Sequence, residues 1–292
     1  MLPAVFGPAP VGGGPDGNEA SSDQQGSRVM HGGAEVSATD FRTDYDGGSK
    51  AADDRNEIWT YYVVRPISFH LTAVFIRAGI TANQVTWLSF AVLLLGCALL
   101  GFGSYLAAVL GAGLINGWLL LDCVDGNIAR YQKTSSTYGA FLDTMGGYGA
   151  YALVFFAAGI GAWTRPGDLG WMAFRRENLA VDGAVWLSLG AWASIAALWT
   201  RLVFQKFKSC FGDTELRRYH LIEGPARRSW ARIITGVGNN VLNVSGGALV
   251  LLFVATLFGA LDVFLLLAAL GTTTVLVFTF ARLLRRAAAA EV

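Results

Sequence analysis

Residues 78–121 read AGITANQVTWLSFAVLLLGCALLGFGSYLAAVLGAGLINGWLLL, without one Asp, Glu, Lys or Arg. A helix needs roughly 20 apolar residues to cross the hydrocarbon of a bilayer. This stretch is long enough for two, with Gly101, Gly103 and Ser104 marking a turn between them. The same character extends through the chain. Of 292 residues, 53% are hydrophobic and only 15% charged, against about 25% charged in soluble domains. Mean hydropathy is +0.45. The composition excludes an ordinary soluble enzyme, a disulfide scaffold and a collagen-like chain, and predicts an all-α membrane protein.

Working outward, six spans are expected: about 83–102, 105–130, 138–164, 183–204, 233–261 and 263–281, the last two separated by Asp262. Ahead of them, 54–79 mixes Trp59, Tyr61, Tyr62, Ile67, Phe69 and Phe75 with polar residues around Pro66. That mixture suits an amphipathic helix in the membrane interface, where Trp and Tyr sit well. Residues 1–53 are rich in Gly, Pro, Ser and Asp, a composition that cannot offset its ordering entropy, so a disordered tail is expected. Residues 80–286 form the expected membrane domain, and 287–292 a short C-terminal tail.

Formal charge is +1, yet residues 1–56 carry nine acids and four bases, which leaves the remainder net basic. The basic residues flank apolar spans, so topology and anionic lipid explain them, and nucleic acid is not an expected partner. Arg130 and Lys133, the seven Lys and Arg of 206–232, and Arg282, Arg285 and Arg286 fall on one side of a six-span topology. Both termini are then cytoplasmic. Cys97, Cys123 and Cys210 show no paired spacing, and His31, His70 and His220 are scattered. Neither pattern suggests a disulfide framework or a His/Cys metal site.

Charges at membrane depth are costly and mark functional sites by default. Here they are few and ordered: Asp122, Asp125, Arg130, Lys133 and Asp143. Asp122, Asp125 and Ala129 share one helix face, and Gly139 and Asp143 share a face of the next helix, which returns antiparallel. Three carboxylates can thus meet between two helices. Such oxygen ligands suit Mg2+ or Mn2+, bound through a few carboxylates and substrate phosphates. Gly126, Ala129 and Gly139 remove bulk where a ligand would approach. The plainer alternative is that these acids cap helices or pair with Arg130 and Lys133.

The run DCVDGNIAR at 122–130, followed by Gly139 and Asp143, resembles the signature of the CDP-alcohol phosphotransferases, D-x2-D-G-x2-A-R-x8-G-x3-D-x3-D. Seven of its eight positions match. TANQVT at 81–86 and the six-span layout also resemble this family, over roughly residues 55–286. The resemblance implies a homodimer in the cell membrane, acting in phospholipid biosynthesis from a cytoplasmic cavity. It implies a Mg2+-dependent transferase that moves a substituted phosphate from a CDP-linked donor to an alcohol, releasing CMP. By position, Asp122, Asp125 and Asp143 would hold the metal. Gly126, Ala129, Arg130 and Gly139 would bind substrate, with Asn83, Thr86 and Lys133 as further candidates.

The eighth position, where the family has the Asp that acts as metal ligand and proposed general base, is Gly147. Two other readings therefore accompany the transferase. One is an enzyme that ionises prenyl diphosphates at the same aspartates, as terpene synthases and prenyltransferases do, with Trp118, Trp192 and Trp199 available to stabilise a cation. It requires an apolar, aromatic cavity beneath the acids. The other is a catalytically impaired homologue that binds without turnover. Arg201 and the 206–232 stretch are candidates for the acceptor side. Asn239, Asn240, Asn243 and Ser245 are candidates for headgroup contact, with capping as the plainer role.

Overall fold

The structure, a computed structural model, describes residues 37–46, 57–164, 183–221 and 247–290. It contains α1 (Ala38–Asp46), a π-helical turn (Thr60–Val64) running into α2 (Arg65–Arg77), α3 (Ala82–Gly101), α4 (Tyr105–Tyr131), α5 (Thr137–Thr164), α6 (Gly183–Leu221), α7 (Leu249–Leu257) and α8 (Leu261–Ala290). Five of these are long and apolar enough to cross a membrane: α3, α4, α5, the Gly183–Gly212 part of α6, and the Leu261–Ala288 part of α8. The chain is an integral membrane protein. Residues 233–246 of the expected fifth span, and the Asn239–Ser245 group with them, lie outside the described residues; α7 belongs to the described remainder of that span. Asp262 falls in the first turn of α8, after the turn at Phe258 and Gly259, and its Oδ1 accepts from Val263 N at 2.8 Å.

Helix starts follow from local sequence. Thr81 and Gln84 form a reciprocal capping box at α3, Gln84 N donating to Thr81 Oγ1 at 3.4 Å and Thr81 N to Gln84 Oε1 at 2.9 Å. Two donors that the first helical turn leaves orphaned are thereby satisfied. At α5, Gly139 N donates to Ser136 Oγ at 3.0 Å. Between α4 and α5 the chain reverses through Lys133, which takes a left-handed φ of 54°.

Small residues let the helices approach. A Cβ on Gly111 would lie 2.5 Å from Leu100 N and 2.6 Å from Gly96 O, so α3 and α4 meet backbone to backbone. A Cβ on Gly190 would lie 2.5 Å from Phe155 O and 2.8 Å from Gly159 Cα, so α5 and α6 meet the same way. In lipid there is little hydrophobic drive between helices, and such close van der Waals packing replaces it. Leu93, Leu100, Ile115, Val154 and Phe155 fill the fully buried core around these crossings. α3 packs against both α4 and α5, whereas α4 and α5 touch little.

Two features modify the sequence expectation for the N-terminal region. Residues 38–46, inside the segment expected to be disordered, form a helix. Its Phe41 and Tyr45 are buried, with Tyr131 4.8 Å from the first ring and Phe69 5.5 Å from the second. On α2 the buried side is largely polar, with Arg65, Ser68 and Thr72 at i, i+3 and i+7, while Ile67 and Val74 are exposed. The helix turns its polar stripe inward because α4 presents a polar partner there, Asn127.

Candidate functional site

The C-terminal end of α4, the N-terminal ends of α3 and α5, and the start of α2 surround one open cavity of about 410 Å3. All seven matched positions of the aspartate pattern line it: Asp122, Asp125, Gly126, Ala129, Arg130, Gly139 and Asp143. Asn83 and Thr86, the candidates from α3, line it as well. Helical periodicity had put the α4 residues on one face; the short reversal through Lys133 brings the α5 pair opposite. Lys133 itself is exposed on that reversal and is not part of the cavity lining.

Asp125 is the deepest of the acids, 5% exposed. Its Oδ2 accepts from Thr86 Oγ1 at 2.6 Å, and the same hydroxyl oxygen lies 3.1 Å from Ala82 O, an alternative acceptor for its one hydrogen. Asp143 and Arg130 both lie near enough to act electrostatically on Asp125. Asp122 is half-buried and Asp143 exposed. Gly126 leaves room for the Arg130 side chain to fold back on the helix, since a Cβ there would sit 3.2 Å from Nη1. A Cβ on Gly139 would sit 3.4 Å from Asn83 Oδ1, so the missing side chain lets α3 and α5 close the cavity rim.

Carboxylates and a hydroxyl on one cavity are the donor chemistry of a hard divalent cation. Among the described residues, however, no three acidic, His or Cys side chains stand close enough together to hold an ion as they are. The donor set fits such an ion in kind, and the acids line the space without being drawn into a ligand shell. Gly147 lies two turns beyond Gly139 on the same face of α5. A Cβ added there meets no atom within 4 Å, so the position of the eighth signature residue is open space.

None of the tryptophans proposed as a cation-stabilising wall lines this cavity. Trp118 is buried in the core, with its Nε1 unbonded. Trp192 donates from Nε1 to Thr273 Oγ1 at 2.8 Å, and Trp199 is exposed. Arg201, a candidate for the acceptor side, donates from Nη2 to the Tyr151 hydroxyl at 2.5 Å and lies outside the cavity lining.

Sequence reasoning missed Arg65 and the 134–136 turn, which also line the cavity. The turn had a readable signal, a Ser three residues before Gly139 at a helix start. Arg65 had none, because its place depends on α2 crossing α4.

Among curated proteins no relative matches the chain. Residues 79–175, about a third of the length, match the sequence model of the CDP-alcohol phosphatidyltransferase family. That interval contains the start of α3 and every matched aspartate, glycine and arginine of the cavity. The stretch that builds most of this cavity within the membrane-spanning helices is thus the part of the chain that is similar to the CDP-alcohol phosphatidyltransferase family.

Proposed function

We propose that the chain is a Mg2+- or Mn2+-dependent transferase that moves a substituted phosphate from a CDP-linked donor to an alcohol, with release of CMP. The observation that carries this reading is the convergence of all seven signature positions on one polar cavity. Asp122, Asp125 and Asp143 are the residues that would hold the metal, and Thr86 fixes the Asp125 carboxylate. When bound, the ion would supply positive charge to the diphosphate and its departing group. Gly126, Ala129 and Gly139 leave room for the nucleotide, Asn83 borders it, and Arg130 faces the phosphates.

In the reaction the acceptor oxygen forms a bond to phosphorus, the bond from that phosphorus to the CMP oxygen breaks, and the hydroxyl proton must leave. With glycine at 147, we assign the proton to Asp143, one turn away on the same face of α5. The polar lining, which includes no aromatic side chain among the described residues, favours this chemistry over prenyl diphosphate ionisation. The same reading carries the homodimer, the cytoplasmic placement of the site, the cell membrane and phospholipid biosynthesis.

The test is a leaving-group assay on detergent-solubilised protein with Mg2+ or Mn2+. CDP-alcohols and CDP-diacylglycerol are offered with alcohol acceptors, then prenyl diphosphates. CMP release that requires both an acceptor and Asp125 supports the transferase. Diphosphate release from a prenyl substrate without CMP formation refutes it, and binding of CDP without any turnover identifies an impaired homologue.

A further inference from the structure

Four residues of α5 recur at four-residue intervals: Gly139, Asp143, Gly147 and Tyr151. They follow one side of the helix. Gly139 and Asp143 line the cavity, and a Cβ at Gly147 meets no atom within 4 Å. Tyr151 closes the series at the next turn, 9% exposed. A helical side chain leans toward the helix N-terminus and covers the turn before its own Cα. The Tyr151 phenol therefore leans toward Gly147 and the cavity end of α5. Along the helix, the open space is bounded by a carboxylate on one side and a phenol on the other.

A second helix holds that phenol. Arg201 of α6 donates from Nη2 to the Tyr151 hydroxyl at 2.5 Å, and its Cζ stands 4.7 Å from the ring centre. A charge-assisted hydrogen bond and a cation–π contact thus act on one side chain. Asp122 lines the cavity and lies near enough to act electrostatically on Tyr151. Glu57 acts in the same way on both Tyr151 and Arg201. The hydroxyl is therefore within electrostatic reach of a cavity acid. Burying it beside a guanidinium costs desolvation that an apolar pair would avoid, so packing alone does not account for this arrangement.

We propose that Tyr151 orients the acceptor alcohol beside Gly147, and that Arg201 is a positioning residue that holds the phenol there; both assignments rest on the transferase reading. The phenol O–H, whose hydrogen turns to suit its acceptor, donates to the alcohol oxygen. Donation from Arg201 to the phenol oxygen polarises that O–H and strengthens it as a donor. The alcohol's own hydrogen is directed to Asp143 on the other side. As the alcohol oxygen bonds to phosphorus, the bond from phosphorus to the CMP oxygen breaks and the alcohol proton passes to Asp143. Tyr151 keeps its own proton throughout.

The experiment measures CMP release with glycerol, serine or inositol varied at saturating donor, alongside CDP binding and thermal melting of the full chain in detergent with Mg2+. Tyr151→Phe keeps the ring and removes the hydroxyl. It is expected to raise KM for the alcohol about tenfold, the worth of one hydrogen bond, with CDP affinity unchanged. Arg201→Gln should raise the alcohol KM in the same selective way. A Tyr151→Phe protein that melts like the wild type and keeps its alcohol KM overturns the assignment. So does one that loses CDP affinity by the same factor, because the hydroxyl would then serve the structure as a whole. Should Tyr151→Phe melt early, the double variant Tyr151→Phe with Arg201→Met removes both polar partners and decides: an unchanged alcohol KM overturns the assignment too. Wild-type protein that releases no CMP with any of the three alcohols overturns the transferase reading, and the Tyr151 proposal with it, before any variant is compared.

Discussion

Restoring the missing carboxylate is the most informative single change, and the structure allows its cost to be worked out beforehand. At Gly147→Asp the new Cβ meets no atom within 4 Å, so no neighbour has to move. Replacing a mid-helix glycine gains a few tenths of a kcal/mol in helix propensity. The new charge stands one turn from Asp143 and costs about 0.2–0.5 kcal/mol in like-charge repulsion. The two nearly cancel, so stability should change by less than about 0.5 kcal/mol and the melting temperature by about 2 °C or less. Turnover should respond far more. A well-placed general base is worth about 10²–10⁴-fold, or about 3–5 kcal/mol of barrier. The assay is CMP release at saturating donor and acceptor, with Gly147→Asn as the uncharged counterpart. A folded, CDP-binding Gly147→Asp enzyme that turns over no faster than Gly147→Asn would refute the reasoning, because the vacancy would then not limit the reaction.

Other consequences can be measured with the same protein. Thr86→Val removes the 2.6 Å hydrogen bond to Asp125 and should lower kcat/KM about tenfold, since a bond to a charged group is worth about 1.5–3 kcal/mol; an unchanged value would show that Asp125 needs no such support. Chelation with EDTA should abolish CMP release and added Mg2+ should restore it, whereas indifference to EDTA removes the ion from the reading. Gly111→Ala puts a methyl 2.5 Å from Leu100 N and should cost about 1–3 kcal/mol in overpacking, seen as early melting, whereas Gly146→Ala, which meets nothing within 4 Å, should not melt early. Phe41→Ala empties a buried site and should release α1, raising trypsin cleavage at Arg42 about tenfold or more for a loss of roughly 2 kcal/mol; equal cleavage of both proteins would mean that α1 is not held by that ring.

The site was legible where chemistry repeats at helical spacing. Asp122, Asp125 and Ala129 share a face because 3.6 residues complete a turn, and a short link forces α5 back alongside, so their meeting with Gly139 and Asp143 could be foreseen. Arg65 could not, because more than fifty residues separate it from Asp122 and only the crossing of α2 over α4 brings them together. The direction of α2 was hidden for the same reason: Arg65, Ser68 and Thr72 look like a solvated stripe until Asn127 faces them. In 38–46 the bulk composition argued for disorder. The counter-signal was small, two aromatics one turn apart, and it matters only because Phe69 and Tyr131 are there to receive them. Lys133 shows the complementary limit, since charge and proximity in sequence say nothing about the direction of a side chain at a reversal with positive φ.

The glycine contacts have a mechanical consequence. Where α3 meets α4, and again where α5 meets α6, backbone lies on backbone, so neither pair can slide or roll internally without a steric clash. Each pair moves as one stiff blade. Thr86, Asp122 and Asp125 ride on the first blade, so their mutual spacing is fixed. Asp143 and the gap at Gly147 ride on the second. The blades are joined where α3 packs against α5, while α4 and α5 touch little, so Asp143 faces Asp122 and Asp125 on the side where the two blades are least in contact. The jaw stands open with its acids apart. Any change in the distance between Asp143 and the other two acids therefore has to come from movement of one helix pair against the other, not from movement within a pair.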